Sequence, residues 1–254
     1  LTGSIGGTSL TLVGLNDYVG GTLGTLGNSG TVSAGNAVYV AATGGIGTLS
    51  NSGTLAGTLS GVRNGGSIGA LLNQGLIAGA TALYNAAGAT LGTVTNSGTL
   101  SGNIVNLSSR DLVIAGNGTL AGGTIANAAS NLVFAGGAQV VGDAINVGSH
   151  TVVNSGASLT LASTLSITGN YSQASGTLAL GTLSAVVSGI ASISGGMITT
   201  AQLDAGGNYV AGVPPARWCR AGRGPAIAGS ASPRPSPAWP PPPVWPPSGP
   251  AWTC

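Results

Sequence analysis

The sequence predicts an all-β protein, wound as a right-handed parallel β-helix and followed by a Pro-rich C-terminal tail without regular structure. Three observations carry that expectation. One phrase recurs as LGTLGNSGTV from Leu23, IGTLSNSGTL from Ile46, IGALLNQGLI from Ile68 and LGTVTNSGTL from Leu91, so its starts keep a near-constant interval. A fixed period of this size marks a stacked supersecondary unit. Within each period the apolar residues come in strand-length pulses with alternating side chains, and no helical spacing is sustained. Finally, the 254 residues include 47 Gly and are 43% hydrophobic but only 4% charged, with no Lys, no Glu and a single Phe, Phe134. An ordinary soluble domain is roughly 25% charged. Small, hydroxylated and amide side chains suit narrow, tightly turned coils, whereas a compact enzyme needs aromatic bulk and ionisable groups.

Leu1 to Gly21 reads as an irregular leading coil, with SLTLVGL as its apolar pulse and Asp17 and Tyr18 in its loop. From Leu23 each unit has two pulses. The first is the repeated phrase; the second is AVYV from Ala37, SGVRN from Ser60, TALYN from Thr81 and NIVN from Asn103. The central apolar residues of the second pulse, Val38, Val62, Leu83 and Val105, lie 24, 21 and 22 apart, so both pulses keep one period. Such a unit is too short for a βαβ crossover. It fits one coil of a parallel β-helix, in which each pulse bonds its equivalents about 4.8 Å above and below. Inward Leu, Ile and Val, Leu71 among them, then form columns that no single coil can bury alone.

Each phrase carries an Asn (Asn28, Asn51, Asn73, Asn96) followed two residues later by a Gly (Gly30, Gly53, Gly75, Gly98). This pair predicts a corner, with Asn tolerating the left-handed region and Gly supplying positive φ. Equivalent amides at one corner can also stack as a ladder. After Asn106 the units begin at Thr124, Ala144 and Thr164, an even spacing of 20, and then at Thr182 after 18. Residues 1–212 are therefore expected to form one solenoid, with coils of about 22 residues to position 105 and about 18–20 beyond it; roughly nine or ten coils would make a rod about 45 Å long.

At Val213 the vocabulary changes. All 13 prolines lie from Pro214 to Pro250, with Trp218, Trp239, Trp245, Trp252, Cys219 and Cys254 in the same stretch or just after it. Proline removes ladder donors, so 213–254 is expected to be disordered or polyproline-like. Its Pro, Arg, Ala, Gly and Trp all have GC-rich codons, and a frameshifted translation explains it better than a linker or a proline-rich ligand motif.

The net charge of +2 hides two regions. Up to Val213, Arg63 and Arg110 face Asp17, Asp111, Asp143 and Asp204; beyond it stand Arg217, Arg220, Arg223 and Arg234 without an acid. Nucleic-acid binding needs a clustered basic surface on the folded part, and none is expected. No run approaches the roughly 20 apolar residues of a membrane helix, and no signal peptide is visible.

No catalytic, cofactor-binding or metal-binding residue is expected, and no cofactor. His150 is the single histidine, seven residues after Asp143 and flanked by Ser149 and Thr151. A triad needs a base in reach of its nucleophile and a group to orient that base, so His150 reads as a solvated loop residue. The separations of the four Asp, 94, 32 and 61, are poor multiples of a coil, which disfavours the paired carboxylates of a polysaccharide hydrolase or a calcium site. An enzyme would require two of Asp17, Asp111, Asp143 and His150 to meet in one groove. The calcium nonapeptide pattern is absent, and two distant cysteines make no metal site. Thr25, Thr48 and Thr93 share a register that Ala70 interrupts, which is weak support for a water-ordering face. There is no RGD, and the sequons at Asn106, Asn117 and Asn170 arise easily in such text.

The repeats NSGTL, IGALLNQGLIAG and ALYNAAGATLGTVTNSGTLSG, with GNYSQASGTLALG and SGIASISGG after them, resemble the passenger region of bacterial autotransporters (type V secretion) from Leu1 to about Gly212. Asn170 to Gly212 is similar to the stretch that precedes the outer-membrane barrel. The resemblance implies a non-catalytic β-helical stalk, secreted or displayed on a Gram-negative surface, that serves adhesion, aggregation, domain presentation or virulence. Its implied partners are host or bacterial surface molecules, or further copies of itself. The chain departs from the family in showing no export signal and no barrel. A β-helical carbohydrate-active enzyme, or a nonfunctional truncated passenger, is the alternative. No family active-site motif has matching residues.

Overall fold

The computed structural model describes residues 21–200 with their side chains, and beyond them the backbone of the strands Thr2–Ile5, Leu15–Asp17 and Cys219–Ala221. Among these residues there is no helix. The 22 strands join in one sheet whose pairings are all parallel, wound into a β-solenoid of about nine turns.

The first pulse forms the strands Thr22–Asn28, Gly45–Asn51, Ser67–Asn73 and Val94–Asn96, stacked residue on equivalent residue. Alternation sends every second side chain inward, and the inward residues build a column Leu26, Leu49, Leu71, Val94, Ile114, Phe134. The strands that follow, Thr31–Val40, Thr54–Asn64, Leu76–Asn85 and Thr99–Asn106, are longer because each turns a corner at a register irregularity. Their first halves begin the column Val32, Leu55, Ile77, Leu100, Leu120, Val141, Leu161. Their second halves begin the column Val38, Val62, Leu83, Ile104, Ile125, Ile145, Ile167, Val187. These columns converge in a single aliphatic core, where each fully buried Leu, Ile or Val contributes roughly 1.5–3 kcal/mol.

Leu71 is fully buried between Leu49 and Val94, as its place in the phrase predicts. Val105 is different. It pairs with the half-buried Tyr84 on the outer side, while Ile104 continues the column from Leu83. NIVN offers two adjacent apolar residues, and the register irregularity at Asn103/Ile104 decides which one faces inward.

Coil lengths also depart from expectation. Shortening begins before position 105, since Val94 pairs with Ile114 and Leu100 with Leu120, each a step of 20. Later, Ile145 pairs with Ile167, a step of 22 rather than 20, because Leu161 to Ile167 covers six positions where Val141 to Ile145 covers four; the irregularity between Asn146 and Thr151 then shortens the step to 19. Leu165 then pairs with Ala185, a step of 20 rather than 18.

Asp17, expected in a loop, ends a strand paired with Thr31–Val40. Tyr18, Asp204 and the Pro-rich stretch lie outside the described residues. Within the tail, the backbone of Cys219–Ala221 forms a strand parallel to Ala185–Val187.

Candidate functional site

The inner corner of the first pulse is an amide ladder. Asn28 Nδ2 donates to Asn51 Oδ1 at 2.8 Å, Asn51 Nδ2 to Asn73 Oδ1 at 2.9 Å and Asn73 Nδ2 to Asn96 Oδ1 at 2.8 Å. Each of these Nδ2 atoms also reaches the carbonyl two residues on, Gly30, Gly53 or Gly75, at 3.2 Å. One coil further the register places Gly116, which has no amide, opposite Asn96. The gap is filled from the next coil by Gln139, fully buried, whose Nε2 donates to Asn96 O at 3.0 Å and Gly116 O at 2.7 Å. These amides are buried and committed to the backbone, so the repeated Asn is a structural group.

A second ladder lies at the end of the other pulse. Asn64, Asn85 and Asn106 each donate Nδ2 to the Oδ1 of the next Asn up the stack, ending at Asn127, with every bond at 2.7 Å. Its signal was present in the sequence as four Asn spaced 21 apart, but the residues before each Asn vary and no phrase draws the eye to them. Asn106, the first sequon, is thereby buried and hydrogen-bonded.

The glycines of the phrase have a different cause from the one expected. None of Gly30, Gly53, Gly75 and Gly98 takes positive φ. A Cβ on Gly53 would instead stand 2.0 Å from Gly30 O, on Gly75 2.0 Å from Gly53 O, and on Gly98 2.0 Å from Gly75 O. Successive coils approach too closely here for any side chain.

The ionisable residues are dispersed. Asp111 stands before Leu112, and its Oδ1 accepts from Asn131 N at 3.0 Å; Asn131 Oδ1 in turn accepts from Thr151 N at 3.1 Å. Asp143 belongs to a different face, before Ile145. It is buried, its Oδ1 accepts from Gly123 N at 2.9 Å, and its Oδ2 has no partner among the described residues. Burial pushes its carboxyl pKa above the ordinary value, with the Gly123 bond pulling the other way. His150 is half-buried within the strand Ala144–Leu161 and not in a loop. Asp111, Asp143 and His150 share no hydrogen-bond partner. Among the described residues no group of three His, Cys, Asp or Glu side chains is placed to hold a metal.

Towards the C-terminal coils one column turns polar, as Phe134 gives way to Asn154 and Gln173, while its neighbours stay apolar. The Tyr171 hydroxyl donates to Gln173 Oε1 at 2.7 Å, and burial pushes its pKa up to about 12. Beside it lies an apolar cavity of about 30 Å³, bordered by Leu165, Ile167, Leu178, Val187 and Ile198.

On the outside, threonines do form a row, though not only the expected one. Thr31, Thr54, Thr99, Thr119 and Thr160 share a register that Leu76 and Val140 interrupt. The other distinctive outward group was missed in the sequence. Tyr39, Arg63 and Tyr84 occupy one register, and the Arg63 guanidinium carbon stands 4.5 Å from the Tyr84 ring centre and 5.8 Å from that of Tyr39. Each precedes the last residue of its strand, a regularity visible only once the strands are aligned.

Comparison with protein-family models, with curated proteins and with solved structures finds no match to this chain.

Proposed function

We propose that the chain is a structural and adhesive β-helical stalk, secreted or displayed at a bacterial surface in the manner of an autotransporter passenger, with no catalytic role. The observation that carries the reading is the division of labour between the two sides of the coil. The interior is a stack of aliphatic columns and amide ladders. The exterior repeats hydroxyl and small side chains at coil spacing, with few charges. A shaft of this kind is self-supporting at any length and presents the same chemistry many times, which suits a spacer or a multivalent adhesive face.

Immunolabelling of intact source cells, paired with an adhesion or aggregation assay on a deletion strain, tests the proposal. Surface or extracellular signal and reduced adhesion are expected. A strictly cytoplasmic protein, or unchanged adhesion and aggregation in the deletion strain, would overturn it.

A further inference from the structure

We propose that the Tyr39–Arg63–Tyr84 stack is a binding site for an anionic polysaccharide, recognised through its carboxylate or sulfate groups. The site deepens the adhesive reading by naming a ligand class, yet it is a property of the isolated chain and is tested without reference to where the protein resides.

The three residues come from the adjacent strands Thr31–Val40, Thr54–Asn64 and Leu76–Asn85, and the pairings Tyr39 with Arg63 and Arg63 with Tyr84 place them one above another on the outer side. A guanidinium 4.5 Å from one ring centre and 5.8 Å from the other lies in cation–π range of both. The two rings flank the guanidinium along the axis and leave its N–H edge as the hydrogen-bonding surface. That edge has no acceptor and no carboxylate partner among the described residues, and the three strands contain no Asp or Glu. A flexible arginine ordinarily loses side-chain entropy on binding; here the stacking has already fixed the fork that grips a carboxylate or sulfate with two parallel bonds.

The surroundings choose among anions. Asn36 and Thr81 lie three residues before Tyr39 and Tyr84 and pair through the buried Ser60, while the Tyr39 and Tyr84 hydroxyls make no hydrogen bond within the described residues. A polyhydroxylated chain finds an uncommitted phenol hydroxyl in the coil before the cation and another in the coil after it. Three stacked side chains span about 10 Å along the axis, the order of size of a disaccharide. Nucleic acid fits poorly, because its affinity comes from neutralising several phosphates together, and this face offers a single cation.

The test measures binding of the full chain to immobilised polygalacturonate, dextran sulfate and unmodified dextran. Binding to at least one anionic polymer and none to dextran is expected, and the preferred polymer identifies the anion. Arg63→Gln should weaken that binding about tenfold or more. Arg63→Lys keeps the charge and the ring contacts but not the fork, and should weaken it several-fold. Changing Arg217, Arg220, Arg223 and Arg234 together to Gln should leave it intact. The proposal is overturned if neither anionic polymer binds, if dextran binds equally, if both Arg63 substitutions bind like the parent, or if the four tail substitutions abolish binding. Far-UV circular dichroism of Arg63→Lys guards against loss of fold, since that variant retains the stacked cation.

Discussion

Replacing Asn73 with Ala removes the central rung of the first ladder. Asn96 Oδ1 loses its only partner, the Asn73 Nδ2 at 2.8 Å, in a site with no solvent. Asn51 Nδ2 keeps the Gly53 and Leu76 carbonyls, and Gly75 O keeps the Thr99 amide, so the principal loss is a single orphaned acceptor. Such an orphan costs about 1–3 kcal/mol. The void left by the amide adds about 1 kcal/mol, for a total of about 2–4 kcal/mol. Asn28→Ala is the comparison. It also orphans one acceptor, on Asn51, but it simultaneously removes Asn28 Oδ1, which has no partner among the described residues because the register places Ile5 opposite it. Its cost should be about 1 kcal/mol smaller. Urea unfolding followed by circular dichroism reads both changes as shifts in midpoint. Equal midpoints for the two variants, or an Asn73→Ala midpoint unchanged from the parent, would refute the account of the ladder as a chain of mutually dependent bonds.

Three further substitutions probe other parts of the solenoid. Leu71→Asp places an unpaired charge between Leu49 and Val94 and should cost several kcal/mol; unchanged thermal unfolding would mean that Leu71 is not inside. Gly75→Ala drives a Cβ to 2.0 Å from Gly53 O and should destabilise by about 1–3 kcal/mol, whereas Gly27→Ala, which meets nothing within 4 Å, should leave the melting temperature nearly unchanged. Asp143 gives a pH dependence. Its carboxyl titrates above 3.8 in the folded chain, so the folded state holds a proton that the unfolded state releases. The resulting stability is complete below that pH and is lost as pH climbs through the folded pKa. Asp143→Asn keeps an acceptor for Gly123 N and cannot ionise, so its melting temperature should exceed the parent's at pH 7 and fall less between pH 4 and 7; parallel profiles would sink the argument.

The fold was legible because its main signal is linear. A near-constant period repeats Leu, Asn and Gly in fixed order, and from that order follow the inward Leu71, the stacked Asn and the parallel pairing. What escaped depends on the distance between coils rather than along the chain. Gly53 and Gly75 look like turn formers in the text, and only the place of a neighbouring carbonyl, 2.0 Å from where a Cβ would stand, gives the actual reason. Ile104 and Val105 are equivalent as hydrophobic neighbours until a register irregularity chooses between them. Arg63 sits in SGVRN beside no aromatic residue, and its two tyrosines, Tyr39 and Tyr84, belong to the coils before and after its own. The burial of Asp143, by contrast, is signalled along the chain, since it falls in phase with Val141, Ile145 and Val147, whose alternation continues unbroken from Ala138–Val141 into Ala144–Leu161.

Both ladders point the same way. In each, the earlier Asn donates and the later one accepts, from Asn28 through Asn96 and from Asn64 through Asn127. The coils between Asn28 and Asn127 therefore carry aligned amide dipoles that reinforce one another. Both rows stop inside the solenoid, the first where Gln139 bonds the Asn96 and Gly116 carbonyls and the second where Asn127 Nδ2 turns to Ser130 O. The later coils are thus held together by their backbone ladders and apolar columns without this polar spine, and a substitution there would break no chain of dependent amides.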